Sequence, residues 1–375
     1  MTSTRAALET AVADHILAIA PYQPGKPVSE IARTFGLDES GIVKLASNEN
    51  PLGMADSVRA AVMRAVQELG RYPDPNGFDL KQDLSQRYGV PADWITLGNG
   101  SNDLLELISL VFLGPDVSCV YAEHAFTVYK LCTQERGARH IMVPAVDYGH
   151  DLDAMLTAIC PDTRLLFIAN PNNPTGTFLP AERIEAFLAQ VWERHGRQVT
   201  VVLDEAYNEY LDPELRFDSA DMVRRYPNLI VTRTFSKAYG LAGLRVGYAL
   251  AQAELTDVLN RVRQPFNVNS VALEAARAAL ADQDFLQRSY ELNQAGKHFL
   301  VQFFESMGLE YVPSHGNFIL VRVGDAAAVN LALLKQGVIV RPVAGDGLPE
   351  HLRITIGLPE ENQRFAQALA GILQD

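Results

Sequence analysis

Cysteine is scarce in this chain. Three thiols, Cys119, Cys132 and Cys160, are spread over 375 residues without a C-x-x-C pair, which excludes a disulfide framework and suits a reducing compartment. Positive charge is also in deficit, with 32 lysines and arginines against 45 aspartates and glutamates and a formal net charge of −13. So acidic a balance argues against nucleic acid or an anionic membrane as the main partner. Any anionic ligand must therefore be gripped locally. No run approaches the roughly 18 consecutive apolar residues of a membrane helix. The opening Met1-Thr-Ser-Thr-Arg-Ala-Ala-Leu-Glu9 lacks the basic-then-apolar pattern of an export signal, so a cytoplasmic protein is expected. There is no internal repeat or low-complexity tract. The eight histidines show no metal-ligand spacing, and no bound metal is expected.

What is present is an ordinary globular balance, 48% hydrophobic and 21% charged, in a chain long enough for two domains around separate cores. Leu8, Val12, Ile16 and Ile19 form one helical stripe that Pro21 ends, an amphipathic arm expected to pack on a partner surface. A second stripe runs through Val58, Ala61, Val62, Ala65, Val66 and Leu69. From Trp94 to Leu250, short apolar runs alternate with helical patterns: Ile95–Leu97, Val117–Val120, Ile141–Val143, Leu165–Ile168, Val199–Leu203, Leu229–Val231 and Val246–Ala249. Continuous apolar strands between amphipathic helices predict an α/β fold, a mostly parallel seven-stranded sheet sandwiched by helices. Ligands of such sheets bind at the carboxyl ends of the strands. Beyond Pro265, long helices and a few strands predict a smaller α+β domain. The expected division is 1–50 as N-terminal arm and part of the small domain, 51–265 as the large domain, and 266–375 as the small C-terminal domain.

The chemistry concentrates in Thr232-Arg-Thr-Phe-Ser-Lys-Ala-Tyr-Gly-Leu-Ala-Gly-Leu-Arg245. Lys237 follows a strand, among small residues, with Ser236 beside it and Arg245 further on. Desolvation and a nearby cation both disfavour the ammonium form, so such a lysine can act as an amine nucleophile. A lone lysine is more often a solvated surface residue, and what weighs against that here is its company. Asn170-Pro-Asn-Asn-Pro-Thr-Gly176 follows one strand, Leu203-Asp-Glu-Ala-Tyr207 ends the next, and Gly98-Asn-Gly-Ser-Asn-Asp103 opens a helix upstream.

From about Tyr22 to the C-terminus, these motifs in this order resemble the pyridoxal-phosphate aminotransferases of fold type I. The resemblance implies a transaminase that uses pyridoxal 5′-phosphate and works as a homodimer on small-molecule amino donors and oxo acceptors. Lys237 would be its Schiff-base and proton-transfer residue, and Asp204 the partner of the ring nitrogen. Asp204 could alternatively be a helix N-cap. Tyr207 and Asn173 would donate to the ring's phenolic oxygen, although Asn-Pro-Thr-Gly is also an ordinary turn. Gly100, Ser101 and Asn102 would meet the phosphate at a helix N-terminus, with Ser236 and Arg245 completing the clamp. Phe126 holds the ring-stacking position, or else belongs to the core. Close relatives often carry tyrosine there. The tyrosine of Tyr72-Pro-Asp-Pro-Asn-Gly77 would cross the dimer interface to the neighbour's cofactor phosphate. Tyr22, Arg341 and Arg353 would face substrate, the arginines being structural ion pairs otherwise. The expected exchange is between L-glutamate and histidinol phosphate with its oxo partner, imidazole-acetol phosphate. Aromatic amino acids are the alternative, and an amino-phosphate decarboxylase is a more distant one. A cofactor-sensing transcription regulator, a different class, would need a basic DNA-binding module that this acidic chain does not offer.

Overall fold

The computed structural model describes residues 11–21 and 25–374. Its first strand, β1 (Val43–Lys44), belongs to the small-domain side of the molecule. The next seven build one sheet: β2 (Ile95–Gly98), β3 (Ser118–Ala122), β4 (Arg139–Val143), β5 (Thr163–Ala169), β6 (Thr200–Asp204), β7 (Leu229–Thr234) and β8 (Gly247–Leu250). Their order is β2-β8-β7-β6-β5-β3-β4. β8 pairs antiparallel with both of its neighbours, and the remaining pairs are parallel. The expected α/β sheet is therefore present, strand for strand.

The apolar runs follow from burial on both faces. Leu166, Ile168, Val201, Leu203 and Val231 enter one core, with Ile184, Phe187, Leu188 and Val191 of helix Ala181–His195 packed over them. The alternate residues Leu165, Phe167, Val202 and Ile230 enter a second core beneath helices Ser101–Phe112 and Thr127–Glu135. Each such side chain removed from water contributes roughly 1.5–3 kcal/mol. The two-residue period of a strand also decides what happens at its end. Asp204 and Thr232 fall on the face of the second core, while Glu205 and Arg233 fall on the other, where they form a buried ion pair at 2.8 Å.

After β8 come helices Ala253–Val262, Ser270–Ala281 and Gln283–Ser306, the last opened by Asp282, whose side chain accepts from Phe285 N. They lead to an antiparallel sheet of β9 (Tyr311–Val312), β10 (Phe318–Arg322), β12 (Arg341–Val343) and β13 (Leu348–Thr355), in the order β12-β13-β10-β9. β1 pairs parallel with β11 (Val338–Ile339), and Thr355 N bonds Leu45 O at 2.9 Å. This stitches the N-terminal segment to the small sheet. Helix Pro359–Gln374 closes this core with Phe365 and Leu369.

Two expected stripes differ from what forms. Of the first, Leu8 lies outside the described residues, and Ala13 interrupts the described part before a short helix, Asp14–Leu17, with Ile16 and Leu17 exposed. In the second, helix Asp56–Ala65 tightens to a 3-10 turn at Val66–Glu68. Leu69, beyond that turn, is exposed, as are Met63, Tyr72 and Phe78. No described helix is long and apolar enough to cross a membrane.

Candidate active site

The carboxyl ends of β2, β5, β6 and β7 converge on a cavity of about 240 Å³ between the two sheets. Lys237, three residues beyond β7, lines it. Its Nζ donates to Ser47 O at 3.0 Å and sits 5.7 Å from the centre of the Tyr207 ring. Burial first, and then the Arg353 and Arg245 charges, pull this amine down to about 7, against the opposing pull of Glu49 and Asp204.

Asp204 closes the floor. Its Oδ2 accepts from the Tyr129 hydroxyl at 2.8 Å and its Oδ1 from Thr232 Oγ1 at 3.2 Å. Burial raises it to about 6, against the pull of those two donors. No cation lies within ion-pair reach of this carboxylate among the described residues, so a positive partner has a place at the cavity side. Tyr207, buried behind Lys237, accepts from Asn48 Nδ2 at 2.9 Å. Asn48 is itself fixed by Thr355, whose Oγ1 accepts from Asn48 N at 2.9 Å.

At the end of β2, Gly100 has φ 85°, and a Cβ there would fall 2.4 Å from Arg245 Nη2. Only glycine lets the guanidinium lie against the start of helix Ser101–Phe112. Arg245 Nη1 also donates to Ser236 Oγ at 3.2 Å. Ser101 and Asn102 reach the cavity from that helix N-terminus, so backbone N–H groups, a hydroxyl and a guanidinium meet at one corner. This is an anion cradle by its chemistry.

In the loop after β5, Asn172 turns inward, its Nδ2 donating to Thr175 Oγ1 and His124 O, each at 2.7 Å. Asn173 instead lines the cavity, and its Oδ1 accepts from Arg353 Nη1 at 2.6 Å. Arg353 Nη2 donates to Ala46 O at 2.7 Å. On the neighbouring strand, Arg341 stands directly opposite Arg353. Two like charges at facing positions oppose each other, which an anion between them relieves. Asp346, also on the wall, is raised by burial against the pull of Arg353 and Arg341. Phe126 lines the cavity while packing its edge on Tyr129, with ring centres 5.8 Å apart and planes at 89°. It thus faces both the cavity and the core.

Eleven of the expected site residues therefore meet at one cavity wall, and Gly100 stands directly behind it. Tyr72 does not join them. It is 82% exposed and stacks on Phe266 at 4.6 Å. Tyr22 lies outside the described residues. Asn48, Tyr129, Thr232 and Asp346 were not singled out by sequence reasoning. Tyr129 stands three residues after Phe126, the N-cap of helix Thr127–Glu135, and Thr232 opens the Lys237 stretch, but neither pattern says that both side chains reach Asp204.

The chain belongs to a known family. The model for aminotransferases of class I and II matches residues 40–369. It is 65% identical over 365 residues to histidinol-phosphate aminotransferase 1 of Cupriavidus pinatubonensis, covering 96% of each chain. It is 63% identical over 364 residues to histidinol-phosphate aminotransferase 2 of Ralstonia nicotianae, again covering 96% of each. Among solved structures, the histidinol-phosphate aminotransferase of Sinorhizobium meliloti in complex with pyridoxal-5′-phosphate superposes with a TM-score of 0.87, at 29% identity and covering 97% of both chains. The family depends on pyridoxal phosphate, and this cavity fits that cofactor. It offers an amine for the aldehyde, a buried carboxylate with no cation in ion-pair reach among the described residues for the ring nitrogen, and the Gly100 corner for the phosphate.

Proposed function

We propose that the protein transfers an amino group between L-glutamate and imidazole-acetol phosphate, yielding 2-oxoglutarate and histidinol phosphate. The observation that carries the reading is the convergence of Lys237, Asp204, the Gly100 corner and the facing arginines on a single cavity. Relatives of 63–65% identity named for that reaction support it.

Pyridoxal phosphate, when bound, supplies the electron sink. The chain's own residues supply binding, orientation and proton control. The Ser101–Asn102 backbone, Ser236 and Arg245 would hold the phosphate, Asp204 the ring-nitrogen proton, and Tyr207 with Asn173 the phenolic oxygen. Phe126 would cover the ring. Lys237 Nζ, brought to about 7 by burial and its neighbouring cations, can both take and return the proton of the substrate's amine-bearing carbon near neutral pH. Arg353, with Arg341 facing it, would receive either the substrate phosphate or a glutamate carboxylate, since a guanidinium fork accepts planar and tetrahedral oxyanions alike. Tyr22 would approach the substrate from the N-terminal segment.

The active form would be a homodimer. Met63, Leu69, Tyr72, Phe78 and Phe266 are apolar side chains left exposed near one another in sequence or contact, a composition suited to a subunit interface. Tyr72 would reach the second copy's phosphate. The division at residues 50 and 265 and a cytoplasmic location belong to the same reading.

The test is a product assay. Protein loaded with pyridoxal phosphate, given L-glutamate and imidazole-acetol phosphate, should form 2-oxoglutarate and histidinol phosphate in equal amounts, and Lys237→Ala should form neither. Turnover with 2-oxo acids but none with imidazole-acetol phosphate would contradict the substrate assignment.

A further inference from the structure

Asp204 ends β6 on the face covered by helix Thr127–Glu135. Separate elements address its two oxygens, Tyr129 from that helix at 2.8 Å and Thr232 from β7 at 3.2 Å. Tyr129 is fully buried and has no freedom to swing away. Its ring lies parallel to Phe167 of β5, with centres 4.5 Å apart and planes at 2°, and Phe126 packs edge-on against it. Packing from β5 and from the helix's own N-cap thus fixes where the phenol oxygen sits, and the Asp204 carboxylate directs its O–H.

The other ionisable groups acting on the pair are few. Glu205, next along β6, raises Asp204, and Lys237 feels Asp204 across the cavity. Tyr207 and Cys132 act on Tyr129. Among the described side chains, only Tyr129 and Thr232 donate to the carboxylate. A buried carboxylate stays charged only where such donors replace its lost water.

We propose that Tyr129 is the positioning residue of Asp204: its phenol holds the carboxylate ionised and aimed at the cavity, and so sets the proton on the cofactor's ring nitrogen from the helix behind. The proposal rests on the assignment of Asp204 to that nitrogen. The donor is rigid, aromatic and buried, whereas Thr232 is a longer, weaker one. The hydroxyl of Tyr129 therefore carries most of the effect, and its ring serves to orient it.

The experiment titrates Asp204 in cofactor-free protein by the side-chain carboxyl carbon resonance. Tyr129→Phe keeps the stacking and removes only the donor. Its Asp204 midpoint should rise by about one pH unit or more, the scale of a charge-assisted hydrogen bond. Tyr129→3-fluorotyrosine, a more acidic phenol and a stronger donor, should lower the midpoint. In loaded enzyme, Tyr129→Phe should weaken pyridoxal phosphate binding in the wild-type background but not in Asp204→Ala. An unchanged Asp204 midpoint in a folded Tyr129→Phe protein, or a shift of the same sign in both variants, overturns the proposal. If Tyr129→Phe fails to fold, the fluorotyrosine arm decides alone. Opposite shifts in the cofactor-free protein, together with no uptake of pyridoxal phosphate by wild type, would support the Tyr129–Asp204 link and overturn the cofactor assignment instead.

Discussion

Lys237 is an amine held neutral under conditions where an ordinary lysine is charged. Its pKa is brought to about 7, chiefly by burial and then by Arg353 and Arg245. A base with a depressed pKa is protonated below that value and neutral above it, and only the neutral amine attacks a carbonyl. The rate at which cofactor-free protein takes up pyridoxal phosphate, followed by visible absorption, should therefore rise with pH around a midpoint near 7. A midpoint near the ordinary lysine value would contradict the burial of the amine. Asp204→Ala should still take up the cofactor, but lose on the order of 10²–10³ in kcat, the usual loss when one preorganised electrostatic partner is removed. Turnover close to wild type would show that Asp204 serves some other end. Both residues were legible in the sequence, because each stands in a short motif at a strand's end. Asn48 was not. It reaches Tyr207 across 159 positions of chain, and only the folded path of residues 45–48 along the small sheet brings it there. Tyr129 was visible as a neighbour of Phe126, yet nothing local says that its hydroxyl ends at Asp204.

Strands β12 and β13 set Arg341 and Arg353 face to face, but the two do different work. Arg353 is buried and bonds Asn173 and the Ala46 carbonyl, so its removal also frees the asparagine. Arg353→Ala should weaken kcat/KM for both half-reactions together, by roughly 2–5 kcal/mol where a partner charge is left unpaired. Arg341→Ala should weaken histidinol phosphate, whose phosphate carries nearly two charges, and glutamate, which carries two carboxylates, while sparing phenylalanine, which presents a single monoanionic carboxylate. Equal losses for all three substrates in Arg341→Ala would refute that division. The long strands were readable because burial on both faces leaves continuous apolar runs. The apolar run at β11 (Val338–Ile339) was readable too, whereas β1, β9 and β12, two or three residues each, are too short to show a period, and tertiary pairing alone makes them strands. Of the second helical stripe, Val58, Ala61 and Ala65 are buried on one helix face, while Val66 and Leu69, in and after the 3-10 turn, are exposed. Apolar residues on an outer face look in sequence like those of a core.

At the scale of the molecule, the proposed homodimer draws on that outer face and the exposed Tyr72. If Tyr72 serves the neighbour's site, mixing Tyr72→Ala with Lys237→Ala protomers should give heterodimers with one doubly damaged site and one intact site, and activity should return on mixing. Heterodimers that form and stay inactive would show that Tyr72 acts within its own chain. The overall architecture was the most legible level, since the alternation of apolar strands and amphipathic helices fixes sheet type, and sheet type fixes where a ligand binds. Substrate choice was the least legible, because the residues that hold the cofactor are indifferent to what it reacts with. That choice is also the central claim, and one comparison tests it: kcat/KM of the wild-type enzyme for histidinol phosphate and for phenylalanine, each with 2-oxoglutarate as acceptor. The paired arginines predict that histidinol phosphate is strongly preferred, whereas a higher value for phenylalanine would contradict the assignment and make the protein an aromatic aminotransferase.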